Sequence, residues 1–294
     1  MRMKSLLQMI IAMLIFGTIG IFVRSMNLPS GFVAMVRGLS GMLFMILVIC
    51  LKKSRINWKS IQRNLKVLIL SGTFIGANWI LLFEAYRYTS VATATLCYYL
   101  QPVFVILASP FVLKEKLTIK KLICALIALS GMVFISGILQ LGETGNPAGR
   151  GILCGVGAAL LYACVIFFNK LLKDISAYDM TMMQLGIAAV VLLPYTLLTE
   201  KVNLLQIAPK DMILLLIVGI IHTGISYLLY FSAMQGLKAQ TIAILSYIDP
   251  VTAIILSAVL LSEPMDAYSL IGAILILGAT LVSEVKIQRK RRKC

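Results

Sequence analysis

Three ionisable residues stand inside apolar stretches of this chain, where such groups are rare, costly and usually functional. Asp249 immediately precedes Pro250. A carboxyl group at mid-span costs roughly 2.5–3.5 kcal/mol on insertion scales, so it is expected to face an interior or a watery cavity. There it can carry a proton, pair with a cation, or only steady its helix. Arg37 lies six residues inside its span, about 9 Å deep. It is either an anchor or an anion-binding group, with Asp249 as its expected ionic partner. His222 is the only histidine. It can shuttle protons near neutral pH or act as a neutral, hydrogen-bonded core residue. The second reading is favoured, and a metal site is not expected.

Around these groups lie residues suited to holding a small molecule. Pro102 and Pro250 have no N–H, so the carbonyls of Tyr98 and Ser246 lose their helical donors. In hydrocarbon those oxygens need another donor, which predicts two kinked, polar helix midpoints at a cavity. Trp79, Tyr98, Tyr99, Tyr162, His222, Tyr227, Ser246 and Tyr247 are the expected substrate-binding set. Aromatic walls with a few polar atoms suit an amphiphilic ligand.

The elements that position them are apolar spans. The chain is 60% hydrophobic and 13% charged, too apolar for a soluble domain. Ten segments read as membrane helices, near 5–23, 31–51, 65–83, 90–111, 119–139, 150–170, 177–198, 211–231, 240–261 and 266–285. The first lacks a small-residue cleavage site and reads as a retained helix. With both termini cytoplasmic, inside segments hold 21 Lys and Arg against five outside, a positive-inside signal. The net charge of +16 thus records orientation and excludes a nucleic-acid reading. The basic tail can also touch anionic lipid. The six cysteines show no metal or disulfide spacing and read as small apolar fillers.

Residues 68–134 align without a gap on 216–282. Gly76/Gly224, Phe83/Phe231, Thr93/Thr241, Tyr99/Tyr247, Pro102/Pro250, Ser109/Ser257 and Glu115/Glu263 are identical pairs. Trp79 pairs with Tyr227, Asp249 with Gln101, His222 with Phe74, and Arg37 with Gln184. Five spans per half place the second half upside down, so the repeats are inverted. The loop after the fourth span carries Lys114, Lys116, Lys120 and Lys121, while its partner after the ninth carries no Lys or Arg. The expected architecture is an all-α membrane protein of ten transmembrane helices in two inverted five-helix repeats, 1–143 and 150–285, with a tail at 286–294. Glu115 and Glu263 read as structural, just before helix caps at Thr118 and Asp266.

The pattern Phe83-Glu-Ala85, Pro102, Glu115, Gly131, recurring as Phe231-Ser-Ala233, Pro250, Glu263, Gly278, resembles the EamA branch of the drug/metabolite transporter superfamily. That resemblance implies a ten-span, two-repeat carrier in the cell membrane with both ends inside. It implies export of small metabolites such as amino acids, or else efflux of lipophilic cations and drugs. The sequence itself shows no paired intramembrane aspartates, no nucleophile with a base, no charged filter ring and no phosphate-binding glycine loop. An enzyme, a channel and an ATP-driven pump are therefore disfavoured. No cofactor is expected. The expected partners are a small-molecule substrate, the lipid bilayer and protons.

Overall fold

Runs of apolar residues with few breakers form helices, and the computed structural model describes residues 2–112, 119–135, 147–201, 207–236, 245–246, 248–260 and 267–284. The elements are α1 (Arg2–Arg24), α2 (Ser30–Leu51), α3 (Trp58–Tyr88), α4 (Val91–Tyr98), α5 (Gln101–Val112), α6 (Ile119–Ile135), α7 (Pro147–Leu171) and α8 (Ala177–Thr199). Then follow α9 (Pro209–Gly219), a π-helical segment (Ile220–Ile225), α10 (Ser226–Gly236), α11 (Ile248–Leu260) and α12 (Ala267–Glu284). Among the described residues, six helices are long and apolar enough to cross a membrane: α1, α2, α3, α7, α8 and the run Pro209–Tyr230. Helix starts are fixed by side chains accepting backbone N–H groups: Asn57 from Ser60, Ser90 from Thr93 and Ser176 from Asp179.

Three helices differ from the sequence expectation. The span expected at 65–83 extends over Trp58–Tyr88, because polar residues at its two ends bond to neighbouring backbone. The span expected at 90–111 is broken between α4 and α5. The amides of Tyr99 and Leu100 close the last turn of α4 onto Thr95, Leu96 and Cys97, and Phe104 then bonds to Leu100. Pro102 therefore sits at the start of a new helix and not inside one. The span expected at 211–231 contains the π-helical segment, where the hydroxyls of Thr223 and Ser226 donate to the carbonyls of Val218 and Ile221 at 2.9 Å each. The cap positions Thr118 and Asp266, with Glu115 and Glu263, lie outside the described residues.

The halves interlock. α3 packs on α7 and α1 on α10; α4 packs on α7 and α1 on α11; α2 packs on α8 and α6 on α12. Exchanging first-half helices for their second-half counterparts interchanges the first two pairings and the next two, and turns α2–α8 and α6–α12 into themselves. α2 and α8 run antiparallel, since Gly31 and Phe32 at the start of α2 meet Glu200 at the end of α8, while Lys52 meets Tyr178. α6 and α12 do the same, with Gly131 against Gly272 and Ile276 and Phe134 stacked on Tyr268.

With lipid outside, close packing and internal hydrogen bonds hold such helices together. Glycines allow the approach at several crossings between halves. A Cβ on Gly38 would lie 3.1 Å from the Leu185 carbonyl, and one on Gly72 would lie 2.7 Å from Cβ of Ile187. Polar ties close the two ends. Glu200 accepts from the amides of Gly31 and Phe32 at 2.8 and 2.7 Å, a carboxylate on a helix N-terminus. At the other end, Asn64 donates to the carbonyls of Ser60 and Lys173 at 2.8 and 2.9 Å and accepts from the Lys173 amide at 2.9 Å. Asn64→Ala leaves the Lys173 amide without its side-chain acceptor, while Arg63 still donates to the Lys173 carbonyl at 3.0 Å, a loss of about 1 kcal/mol. Thermal unfolding of the purified protein in detergent should show the variant melting clearly earlier than the parent.

Candidate functional site

Arg37, in the second turn of α2, is 4% exposed. Its Nε donates to Thr223 Oγ1 at 2.6 Å. Its guanidinium carbon lies 4.2 Å from the centre of the Trp79 ring and 5.5 Å from that of Phe83. The Thr223 hydroxyl is aimed by its own bond to Val218 in the π-helical segment. Trp79 on α3 meets Tyr227 on α10 edge-to-face, 6.4 Å between rings. Tyr227 in turn meets Phe16 of α1 at 5.4 Å, also edge-to-face. These contacts join helices of both halves.

A second cluster forms at the α4–α5 break. Tyr98 stacks obliquely on Tyr162 of α7 at 5.7 Å and meets Tyr99 edge-to-face at 5.9 Å. The Tyr99 hydroxyl donates to the Ser246 carbonyl at 3.2 Å, the oxygen that Pro250 leaves without its helical donor. The carboxyl group of Asp249 lies beside the same hydroxyl. Asp249 is half-buried in the first turn of α11. Tyr98 and Tyr162 lie near both Arg37 and Asp249.

The structure corrects one expectation. Arg37 and Asp249 do not pair: the guanidinium is held by Thr223 and the Trp79 face, and Asp249 lies beside Tyr99. Among the described residues, the ion pairs join Arg63 to Asp174 and Arg87 to Glu84. Their separate helices and separate neighbours keep the two apart.

His222 is 2% exposed and stands to one side, within the π-helical segment. Its Nε2 is 2.7 Å from Thr18 Oγ1, and its ring lies against Phe22 at 4.8 Å. The Thr18 hydroxyl donates to the Ile15 carbonyl at 2.7 Å, and His222 Nδ1 lies 3.4 Å from the Ile217 carbonyl, so both ring nitrogens face polar neighbours. Tyr247 lies outside the described residues. Gln184, the counterpart of Arg37, gives its amide hydrogens to Ser71 Oγ and Asn169 Oδ1 at 2.8 and 2.5 Å. Where the first half carries a cation, the second carries a neutral network.

Sequence reasoning missed Thr223 and Thr18, and it read Phe16 and Phe83 only as parts of the repeat. The pair His222-Thr223 beside Gly224 was the available signal, but a π-helical turn re-aims side chains in a way that a 3.6-residue period does not reveal. Among the described residues, no three His, Cys, Asp or Glu side chains gather as a metal site.

Comparisons with known proteins match the sequence to one family. The sequence pattern described as the EamA-like transporter family matches residues 3–137 and 149–284. An uncharacterised transporter of Bacillus subtilis (strain 168), YxxF, is 32% identical over 289 residues, covering 98% of this chain and 92% of its own. Protein PecM of Dickeya dadantii (strain 3937) is 27% identical over 240 residues, covering 78% and 76%. A crystal structure at 18% identity superposes with a TM-score of 0.69 over 96% of both chains, a likeness of fold.

Proposed function

This chain belongs to the EamA-like transporter family and is a multi-pass membrane transporter; from that premise we propose that it is a secondary exporter of small metabolites such as amino acids. It works by alternating access around a central site in the cell membrane. The carrying observation is the place where the halves meet. Arg37, Trp79, Tyr98, Tyr99, Tyr162, Tyr227, Ser246 and Asp249 come from both halves and converge on the α4–α5 break and the π-helical segment. Interrupted helices at a repeat interface are where such carriers bind their cargo.

The proposed architecture is ten transmembrane helices in two inverted repeats, 1–143 and 150–285, followed by the basic tail 286–294. Supporting it are the antiparallel pairings of α2 with α8 and of α6 with α12. A reporter fused after residue 145 should read outside, and one fused after residue 284 inside. A cytoplasmic signal at 145 would remove the inversion.

The transport reading is tested by a thermal-shift screen of purified protein against amino acids, organic acids and cationic dyes, since a bound ligand stabilises by mass action. A hit should then be exported from cells expressing the protein. Trp79→Ala or Tyr227→Ala should weaken the hit's binding more than it lowers expression. Equal binding by both variants removes the pocket assignment. Efflux of lipophilic cations is the second reading, favoured by Asp249 beside aromatic rings; dyes as the sole hits would establish it.

A further inference from the structure

Resting on the transport reading, we propose that Arg37, held by Thr223 and Trp79, is the seat for a single carboxylate on the transported molecule. A guanidinium has five N–H donors in a rigid fork. Thr223 takes the Nε hydrogen. Trp79 and Phe83 face the guanidinium with flat rings, which attract a cation but accept no in-plane hydrogen bond. Among the described residues, no Asp or Glu pairs with Arg37. A buried charge without a partner is strongly unfavourable, so a cation kept at this depth calls for an anion from elsewhere. The two terminal nitrogens match a planar carboxylate through parallel hydrogen bonds. Nε–Thr223 and the ring stack fix the plane of that fork before any ligand arrives.

The surroundings narrow the ligand further. Lys66, Lys120, Lys121, Arg150 and Lys170 lie at the ends of their expected spans and Arg37 alone lies deeper, so a doubly charged phosphate would lack a second cation. The rings of Tyr162, Tyr98 and Tyr99 run in contact to the Ser246 carbonyl, three residues before Asp249, and Asp249 repels a second negative charge. The site therefore suits one carboxylate at Arg37 and an apolar or aromatic body along the tyrosines. An uncomplemented cation such as a lipophilic dye is repelled at the Arg37 end.

The chain holds two tryptophans, and Trp58→Phe leaves Trp79, next to Arg37, as the sole reporter. The full-length protein in detergent is titrated with 3-phenylpropionate, L-phenylalanine and L-leucine, and with the amide of each. At least one acid should change Trp79 emission saturably, with half-saturation about tenfold or more below that of its amide, a difference of about 1.4 kcal/mol. Arg37→Gln should remove the response. Arg37→Lys, a point charge without the fork, should weaken it. Equal responses to acid and amide, no response to any acid, or a response that survives Arg37→Gln overturns the seat. Should Arg37→Gln fail to fold, the comparison of acid with amide in the parent still decides. Export of tetraphenylphosphonium and of the three acids is measured in cells in parallel. Dye export without an acid response removes only the carboxylate seat. Acid binding with no export of anything removes the transport reading and leaves the seat.

Discussion

Gly17→Ala is expected to destabilise the protein far more than one methyl group ordinarily would. A Cβ at Gly17 would lie 2.6 Å from the carbonyl oxygen of Asp249 and 2.6 Å from Cβ of Thr252. The first is backbone and cannot rotate away. Either α1 or α11 must shift, and overpacking of this kind costs about 1–3 kcal/mol, occasionally more. The shift also displaces Asp249 from Tyr99, so ligand binding should fall with stability. Gly149→Ala is the control, since nothing lies within 4 Å of a Cβ there and alanine favours a helix. Thermal unfolding in detergent should show the first variant well below the parent and the second level with it or slightly above. Equal melting of both would mean that α1 and α11 do not approach this closely.

Asp249→Asn should leave the folded yield near that of the parent and lower transport by at least about tenfold, or about 1.4 kcal/mol at the limiting step. Asparagine keeps the shape, and its amide can donate to the Tyr99 oxygen. What it removes is the charge and the exchangeable carboxyl proton, which the counterpart Gln101 cannot replace. An intramembrane carboxyl group facing a carrier's interior is a place where protons or cations are handled. The measurement is export of a thermal-shift hit from cells held between about pH 5 and 8. Unchanged export across that range would make Asp249 a structural hydrogen-bonder at the start of α11.

Much of the fold was legible in the residues because the bilayer limits what a chain can do. Apolar runs too long for a soluble core must become helices, so α1, α2, α7 and α8 fall within a few residues of their expected bounds. Identical residues at equal spacing, such as Phe83/Phe231 and Pro102/Pro250, announced a duplication. The EamA resemblance they carried is matched in both halves, 3–137 and 149–284. Proline chemistry also reads locally. A missing N–H is a property of the residue, so the need of the Ser246 carbonyl for a foreign donor could be stated from sequence. Which donor meets it could not: Tyr99 is 147 residues away in the chain.

The tertiary structure alone decided the company of the charges. Asp249 was the expected ionic partner of Arg37, given side-chain reach across their difference in depth, but depth says nothing about which face a side chain occupies. Packing turned Arg37 towards α3 and the π-helical segment, where Thr223 and Trp79 hold it. It set Asp249 in the first turn of α11 beside Tyr99. Hydrophobic periodicity fixes where helices run, because burial depends on the average over a face. A hydrogen bond depends on a single rotation and a few tenths of an ångström, which only the assembled neighbours impose.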